Sequence, residues 1–425
     1  MRTLLALLLL TATVLAPNHA AAAPIDDAVA AATAAKQAND FVAMEAALKQ
    51  VLALRPQHPR WSYHLAVARA KQGASDGALA LLEQVATQGA AYQPETDPDL
   101  AALTGTPRFE AIAARFARNR APTGALKVAF TLEDRALIPA GLACAADGVC
   151  FVSSVRRGSI TRVSPDGRAR LFVTPRRDGL WSALGMALDQ VRGLLWVTSA
   201  ALPELEGLAP EERGRTGVFG FALGDGRLAH RVLLPDDGKP HAFGDLRVLE
   251  DGRLLVSDQL GGLLYTLDPR VGAFRRLTTP GALVSPQGAV VARDGQSALV
   301  ADYALGLMKV SLRSGSVSRV PTLTEISTYG IDGLYGHGDA LIAVQNGLRP
   351  HRVLRLELDA AGRVARSTLL AANDPRFAEP TLGAVVGDRF RFIANSQWDR
   401  FGADGSLPPD AELAAPLVLE LALPH

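Results

Sequence analysis

Several short apolar segments of the chain end in a polar residue, and these polar residues are the first candidates for chemistry. They are Ser154, Ser199, Asp258, Asp302, Asn346 and Asn395. Polar groups at the ends of buried segments bind ligands by hydrogen bonds, and carboxylates also act as general bases or hold cations. The alternative is that Ser, Asp and Asn cap turns, which they do well. Because every member of the set is polar, we favour a lined pocket.

The elements that position these residues form an internal repeat of strands after Pro122. A first strand begins at a Gly or Asp, a turn follows, and an apolar second strand comes next. The first strands begin at Gly141, Gly185, Asp245, Gly288, Gly333 and Gly383, and the second strands begin at Cys150, Leu194, Leu254, Ala298, Leu341 and Phe390. Six units of blade length predict a mainly β fold built on a six-bladed β-propeller. The last apolar segment, 416–423, is expected to pair with the first or last blade and close the ring.

In such a meander, the start of each first strand and the end of each second strand lie at the same rim. The residues before the first strands are Ala140, Leu184, Gly244, Gln287, Asp332 and Leu382. We expect both sets to surround one mouth of the central channel and to bind a small molecule there. The predicted ligand-binding residues are Ser154, Gln287, Asn346, Asn395, Trp398 and His241. Trp398 either stacks on a ring of the ligand or packs where the propeller closes. A lone His such as His241 is more often structural than catalytic.

Residues 24–120 read as a separate helical domain, because the segment is rich in Ala and Leu and poor in β-branched residues. Breaks fall at Asn39-Asp40, 56–59, 73–77 and 89–94. Two units at a spacing near 34 residues resemble a tetratricopeptide repeat pair. Such a pair either docks a protein partner or caps the following domain, and the short array favours the cap.

The first 23 residues have the features of a secretory signal peptide, with Arg2, an apolar run from Leu4 to Leu15 and small residues at Ala20 to Ala23. The apolar run is too short for a comfortable membrane anchor. We therefore expect a periplasmic or secreted protein without a membrane span after cleavage. The 44 basic and 43 acidic residues give no basic excess, which argues against nucleic-acid binding.

The two cysteines, Cys144 and Cys150, flank an Asp-Gly turn between two strand-like runs. An oxidising compartment allows them to pair across the hairpin. The alternative is two buried thiols. A catalytic role is the least favoured, because no His lies nearby in the sequence.

The Asp-Gly-apolar units, with 158–167 as the clearest example, resemble the gluconolactonase/regucalcin-type (senescence marker protein) propeller family over residues 121–425. The resemblance implies one divalent metal ion, Ca²⁺ or Zn²⁺, in the channel and hydrolysis of lactones or related esters. At the positions of the family's metal ligands this chain has Ala140, Gly244, Gln287 and Asp332, of which Asp332 matches and Gln287 is a conservative change.

This departure weakens the metal site, because Ca²⁺ takes about six or more oxygen ligands. The candidate ligands are Asp332, Gln287 and Asp245, and otherwise no cofactor is implied. If the protein is an enzyme, Asp332 is the best general base, supported by Asp302 and Asp258.

Two functions therefore stay open. The first is a propeller that binds a small ligand or a partner at the channel mouth, with a degenerate metal site. The second is a metal-assisted lactone or ester hydrolase with a remodelled site.

Overall fold

The computed structural model describes residues 19–402 and 405–424. Most of the predicted signal peptide lies outside these residues. The first helix begins at His19, so the predicted cleavage region falls within its first turns. No helix in the described ranges combines the length and the apolar character that crossing a membrane requires.

Helices form the N-terminal part of the described chain. They are α1 (His19–Gln37), α2 (Phe41–Leu54), α3 (Pro59–Lys71), α4 (Ser75–Thr87) and α5 (Pro107–Asn119). The predicted breaks coincide with their boundaries. The Asp40 carboxylate caps α2 by accepting from Ala43 N at 2.9 Å, and the Thr106 hydroxyl caps α5. Helices α3 to α5 bury a shared core that includes Leu82, Phe109 and Phe116.

Strands follow from residue 127 and form six sheets of four antiparallel strands. Blade one contains β2 (Pro139–Cys144), β3 (Cys150–Ser154), β4 (Ser159–Val163) and β5 (Ala169–Val173); blade two contains β6 (Ser182–Asp189), β7 (Leu194–Ala200), β8 (Thr216–Ala222) and β9 (Leu228–Leu233). Blade three contains β10 (Phe243–Val248), β11 (Leu254–Asp258), β12 (Leu263–Asp268) and β13 (Ala273–Arg276); blade four contains β14 (Pro286–Val291), β15 (Ser297–Asp302), β16 (Gly306–Ser311) and β17 (Val317–Arg319). Blade five contains β18 (Ile331–His337), β19 (Ala340–Gln345), β20 (Arg352–Leu358) and β21 (Val364–Ala372). The predicted six-bladed propeller is confirmed.

Blade six closes the ring with strands from distant parts of the chain. Its strand order is β22 (Gly383–Val386), β23 (Arg389–Ile393), β24 (Leu417–Ala422) and β1 (Lys127–Thr131). The predicted closing segment therefore pairs within the last blade, where β24 lies between β23 and β1.

Glycines at the starts of the first strands allow these strands to pack closely around the axis. A Cβ atom on Gly141 would lie 2.1 Å from the Leu184 carbonyl oxygen, and one on Gly185 would lie 2.6 Å from the Gly244 carbonyl oxygen. Both distances are too short for any side chain. The repeated glycine is thus a requirement of the packing between blades.

In five blades the pairing of the first and second strands shifts register near the mouth. In each case the shift falls at the residue predicted to face the channel, as at Gln287 between Pro286 and Ala289 and at Asp332 between Ile331 and Gly333. A β-bulge redirects side chains and is common beside functional sites. These bulges turn one residue per blade towards the mouth.

The turn at the opposite rim of blade one carries the two cysteines. Cys144 and Cys150 lie directly opposite each other at the ends of β2 and β3. They are joined by a disulfide bond.

The helical segment packs against the loops of blades four to six at the rim that bears the mouth. The Tyr329 hydroxyl donates to Pro56 O at 2.9 Å, and Asn373 Nδ2 donates to Asn119 O at 2.8 Å. Arg352 Nη1 donates to Gln88 O at 2.8 Å. Arg352 is 6% exposed, and burial lowers its pKa to about 10. The helices are therefore tied to the same loops that build the mouth.

Candidate functional site

A cavity of about 420 Å³ opens at the mouth of the propeller. This volume is in the range of small-molecule sites, roughly 300–1,000 Å³. All the residues that directly precede the first strands line it: Ala140, Leu184, Gly244, Gln287, Asp332 and Leu382. The structure therefore brings together the residues that precede the first strands.

The cavity wall is divided into an apolar part and a polar part. The apolar part comes mainly from blades one to three and consists of Ala140, Leu184, Leu202, Pro203, Ala242 and Leu260. The polar part comes mainly from blades four to six, with Ser285, Gln287, Tyr303, Asp332, Asn346, Glu379, Thr381 and Ser396, and blades two and three add Glu204, Asp245 and Gln259. Such a wall suits a ligand with one apolar and one hydrogen-bonding face.

Asp332 is the centre of a hydrogen-bond network in the polar part. Its Oδ2 accepts from Thr381 Oγ1 at 2.7 Å and from Asn346 Nδ2 at 2.9 Å. The Tyr303 hydroxyl donates to Asn346 Oδ1 at 3.0 Å, which fixes the amide orientation. Both hydrogen bonds to the carboxylate use Oδ2, so Oδ1 is left for a ligand or a reacting proton.

Burial raises the pKa of all four carboxyl groups that line the cavity, those of Glu204, Asp245, Asp332 and Glu379. Burial raises the pKa of Asp332 to about 6, although the hydrogen bonds from Thr381 and Asn346 oppose the shift. Burial, together with the charge of Asp399, raises the pKa of Glu379 to about 7. Both groups therefore change protonation near neutral pH, where acid–base catalysis is most effective.

Glu379 also has an uncommon backbone conformation, with φ of 61°. A non-glycine residue in this left-handed region costs energy and is found preferentially at functional sites. The conformation is held by Ser396, whose Oγ donates to Glu379 O at 2.8 Å.

The floor of the cavity is an ion pair that closes the channel beneath it. Arg247 Nη1 lies 3.1 Å from both carboxylate oxygens of Asp245 and donates its hydrogen bond to Oδ1. The guanidinium carbon lies 5.3 Å from the ring centre of Tyr335, and Nη2 donates to Leu334 O at 3.0 Å. Asp245 is 4% exposed, and its Oδ2 accepts no hydrogen bond in the structure.

The polar residues at the ends of the second strands behave differently. Of this set, Asn346 is the one member that lines the cavity. Asp302 accepts four backbone N–H groups, those of Val284, Ser285, Ala304 and Leu305. Asp258 accepts from the backbone N–H groups of Ala242 and Gly261. Both carboxylates position the loops around the mouth, so Asp332 is the one predicted catalytic carboxylate that lines the cavity.

Ser154 and Asn395, which also lie at the ends of second strands, hold backbone groups too. Ser154 Oγ donates to Leu137 O and accepts from Arg157 N. Asn395 pins the start of the closing strand, because its Oδ1 accepts from Leu417 N at 2.7 Å. Turn capping, the alternative reading of these polar residues, describes what they do here.

His241 lies behind the wall between two carboxylates. Its Nδ1 contacts Asp258 Oδ2 and its Nε2 lies 3.1 Å from Asp237 Oδ1. Burial opposes the charged imidazolium, but the two carboxylates outweigh it and raise the pKa of His241. The residue therefore pairs with two acidic loops and does not line the cavity.

Trp398 and Gln287 both line the cavity. Trp398 is half-buried, packs edge-to-face near Phe401 and presents part of its ring to the mouth. Gln287 Nε2 donates to Ser285 Oγ at 3.0 Å. The side-chain oxygen of Gln287 takes no part in this hydrogen bond.

Several polar lining residues were not among the predicted sites, and they include Glu204, Tyr303, Glu379 and Thr381. Tyr303 directly follows Asp302, which was a predicted site residue, so the repeat pattern points to the position next to Tyr303. Glu204 belongs to the loop inserted after β7, and Glu379 and Thr381 belong to the loop before β22. No repeated position predicts residues of such loops.

The predicted metal ligands Asp332, Gln287 and Asp245 all line the cavity, but their surroundings do not suit a divalent cation. The described residues contain no group of three His, Cys, Asp or Glu side chains able to hold a metal ion. Arg247 already supplies the positive charge next to Asp245. Two carboxylates and an amide also fall short of the oxygen ligands that Ca²⁺ takes.

No family model matches the chain, and no curated protein matches it. Similar solved structures include a putative oxidoreductase (glucose dehydrogenase) from Thermus thermophilus, at 19% identity and a TM-score of 0.49, over 70% of this chain and 99% of the other. A calcium-binding regucalcin from Agrobacterium tumefaciens is 16% identical with a TM-score of 0.48, over 70% and 94% of the two chains. A gluconolactonase from Xanthomonas campestris is 17% identical with a TM-score of 0.46, over 69% and 89%. The neighbours thus include proteins of the kind that the strand motifs resemble, and the chain is a six-bladed β-propeller with an N-terminal helical segment.

Proposed function

We propose that this protein binds a small organic ligand in the mouth of its propeller, with Asp332 as the central polar contact. The supporting observation is the cavity itself, in which an apolar wall faces a hydrogen-bonded carboxylate with one unused oxygen. Asn346, Thr381 and Tyr303 orient Asp332, and Trp398 covers one side of the ligand.

Steric blocking of the mouth tests this proposal. Ala140 lines the cavity, whereas Ala146 is exposed in the turn at the opposite rim. We expect that a compound library screened by thermal shift yields ligands that stabilise the wild-type protein and the Ala146→Phe variant. The Ala140→Phe variant should lose the stabilisation. Ligands that stabilise both variants equally would place binding elsewhere.

A second candidate function is hydrolysis of a lactone or ester, favoured by the raised pKa values of Asp332 and Glu379. In this reaction the Asp332 carboxylate takes a proton from water as the water oxygen attacks the carbonyl carbon. The carboxylic acid of Glu379 donates a proton to the departing oxygen, and the products are an acid and an alcohol, joined in one molecule for a lactone. No metal ion takes part in these steps.

The hydrolase candidate predicts a bell-shaped pH–rate profile with its maximum between the two pKa values of about 6 and about 7. Activity on a panel of lactones and esters should persist in the presence of a chelator. The Asp332→Asn variant should lose at least about 100-fold in kcat. Absence of turnover across the panel would leave ligand binding as the function.

We also propose that the protein is exported and that its helices form a structural part of the mouth. The apolar N-terminal run and the cysteine pair support export. The hydrogen bonds from Arg352, Tyr329 and Asn373 to the helical segment support the structural role over a partner-docking role. Fractionation of cells and N-terminal sequencing of the protein would test export.

A further inference from the structure

The charge on the cavity wall has one sign. Four carboxyl groups line it, those of Glu204, Asp245, Asp332 and Glu379, and no Lys, Arg or His is among the described lining residues. The whole chain is nearly balanced, with 44 basic and 43 acidic residues. The mouth is therefore a local acidic site within an almost neutral protein.

Two carboxylate oxygens of this wall have no hydrogen-bond donor. Asp245 Oδ2 is buried in a side chain that is 4% exposed, and it accepts no hydrogen bond, although Arg247 Nη1 lies 3.1 Å from it in an ion pair. Asp332 receives its two hydrogen bonds at Oδ2, and none reaches Oδ1 within the described structure. Asp332 Oδ1 is therefore open to a hydrogen-bond donor of a ligand, and a carboxylate oxygen gains most from a charged donor.

The other side of the cavity is mainly apolar, although Glu204, Asp245 and Gln259 also line it. Ala140, Leu184, Ala242 and Leu260 line it, and Trp398 adds an aromatic surface. A ligand that fills the cavity therefore needs an apolar body in addition to its polar group. Aromatic faces also attract cations, which makes Trp398 and Tyr303 compatible with a positive group nearby.

We infer that the ligand is an organic cation, a primary or secondary ammonium group on an apolar body. This inference rests on the proposed function and specifies its ligand class. The ammonium group donates to Asp332 Oδ1, and the apolar body lies against the apolar residues of blades one to three. A neutral alcohol satisfies one oxygen but not the charge, and a carboxylate or phosphate is repelled by the wall.

Calorimetric titration at pH 7.5 with three compounds of one shape tests the inference: phenethylamine, phenethyl alcohol and phenylacetate. We expect the amine to bind at least about tenfold more tightly than the alcohol and the acid not to bind, since charged contacts in a partly buried site dominate selectivity. The Asp332→Asn variant should reduce amine affinity at least about tenfold and leave alcohol affinity unchanged. The Asp388→Asn variant, which alters an exposed carboxylate at the opposite rim, should bind the amine as the wild type does.

Salt dependence of the wild-type protein provides a second measurement that does not need a folded variant. Added sodium chloride should weaken amine binding and leave alcohol binding unchanged. If the alcohol binds as tightly as the amine, and Ala140→Phe abolishes both, the cavity is a ligand site and the cation inference is wrong. If none of the three compounds binds, the cation inference is overturned, and the library screen with Ala140→Phe decides the proposed function separately.

Discussion

Two buried polar regions lie side by side in this protein: the contact between the helices and the propeller, and the mouth. At the contact, the charged group Arg352 uses its donors on neutral oxygens, those of Gln88 and Gln345. The atoms left without partners there are neutral, namely His58 Nδ1, Gln88 Oε1 and Ser327 Oγ. At the mouth, a carboxylate oxygen, Asp332 Oδ1, has no hydrogen bond in the described structure and belongs to a side chain that lines a cavity. The difference distinguishes a region built to hold two segments together from one built to receive a ligand.

Replacing Arg352 by Met should give the largest change in stability, because it leaves Gln88 O and Gln345 Oε1 without their donor. We expect a loss of roughly 2–4 kcal/mol in the free energy of unfolding, since each unsatisfied buried acceptor costs about 1–3 kcal/mol. Denaturant titration measures this loss. Hydrogen exchange should also increase in 84–91 and 323–330.

The matched control is Arg366→Met, in which an exposed arginine of β21 is changed. Its effect should stay within about 0.5 kcal/mol. Equal stability of the two variants would mean that the contact contributes nothing to holding the helices.

Acidification should affect the two regions in opposite directions. Burial lowers the pKa of His58 and His64 to about 4, so their folded pKa lies below the unfolded value, and helical stability falls as the pH decreases below about 6.5. Burial raises the pKa of Glu379 to about 7, so the folded protein binds this proton first, and the mouth gains stability as the pH falls from above 7 towards 4.5. Between pH 7.5 and 5.5 we expect a change of roughly 1 kcal/mol per histidine and roughly 1–2 kcal/mol for Glu379.

Hydrogen exchange at pH 7.5 and 5.5, corrected for intrinsic rates, measures both trends. Protection in 58–71 should decrease, and protection in 379–399 should increase. The Glu379→Gln variant should abolish the increase and leave the decrease unchanged. A parallel change in both regions would show that they open as one unit.

Replacing Tyr303 by Phe should give the smallest effect on stability and a selective effect on the mouth. The variant loses the hydrogen bond to Asn346 Oδ1, and because Tyr303 is 37% exposed, water can replace the hydroxyl. We expect a stability change of about 0.5–1 kcal/mol and a two- to fivefold loss of ligand affinity, as is ordinary for one partly exposed hydrogen bond. Tyr92→Phe in the helical segment is the control and should leave affinity unchanged.

The sequence predicted the features that repeat and missed those that do not. Gly141, Gly185 and Gly288 recur because the packing between blades excludes a Cβ atom there, and the preceding residues face the cavity because a bulge turns them. Asp258 and Asp302 hold loop backbones and do not line the cavity, and the repeat does not separate a carboxylate in that role from one that faces a ligand. Glu379 comes from a loop without an equivalent in other blades. The bond between Arg352 and Gln88 joins residues 264 positions apart, which no local pattern predicts.

The closure of blade six also sets the order in which the protein can be completed during synthesis. Strand β24 lies between β23 and β1, so these two strands have no partner on one edge until residues 417–422 have left the ribosome. Unpaired strand edges invite pairing with other chains. The ring therefore closes only after residues 417–422 have been synthesised, and until then the edges of β1 and β23 stay open. β1 begins at Lys127, shortly after α5 ends at Asn119. The contact between the helices and the mouth loops would therefore become fixed only after β24 has paired with β1.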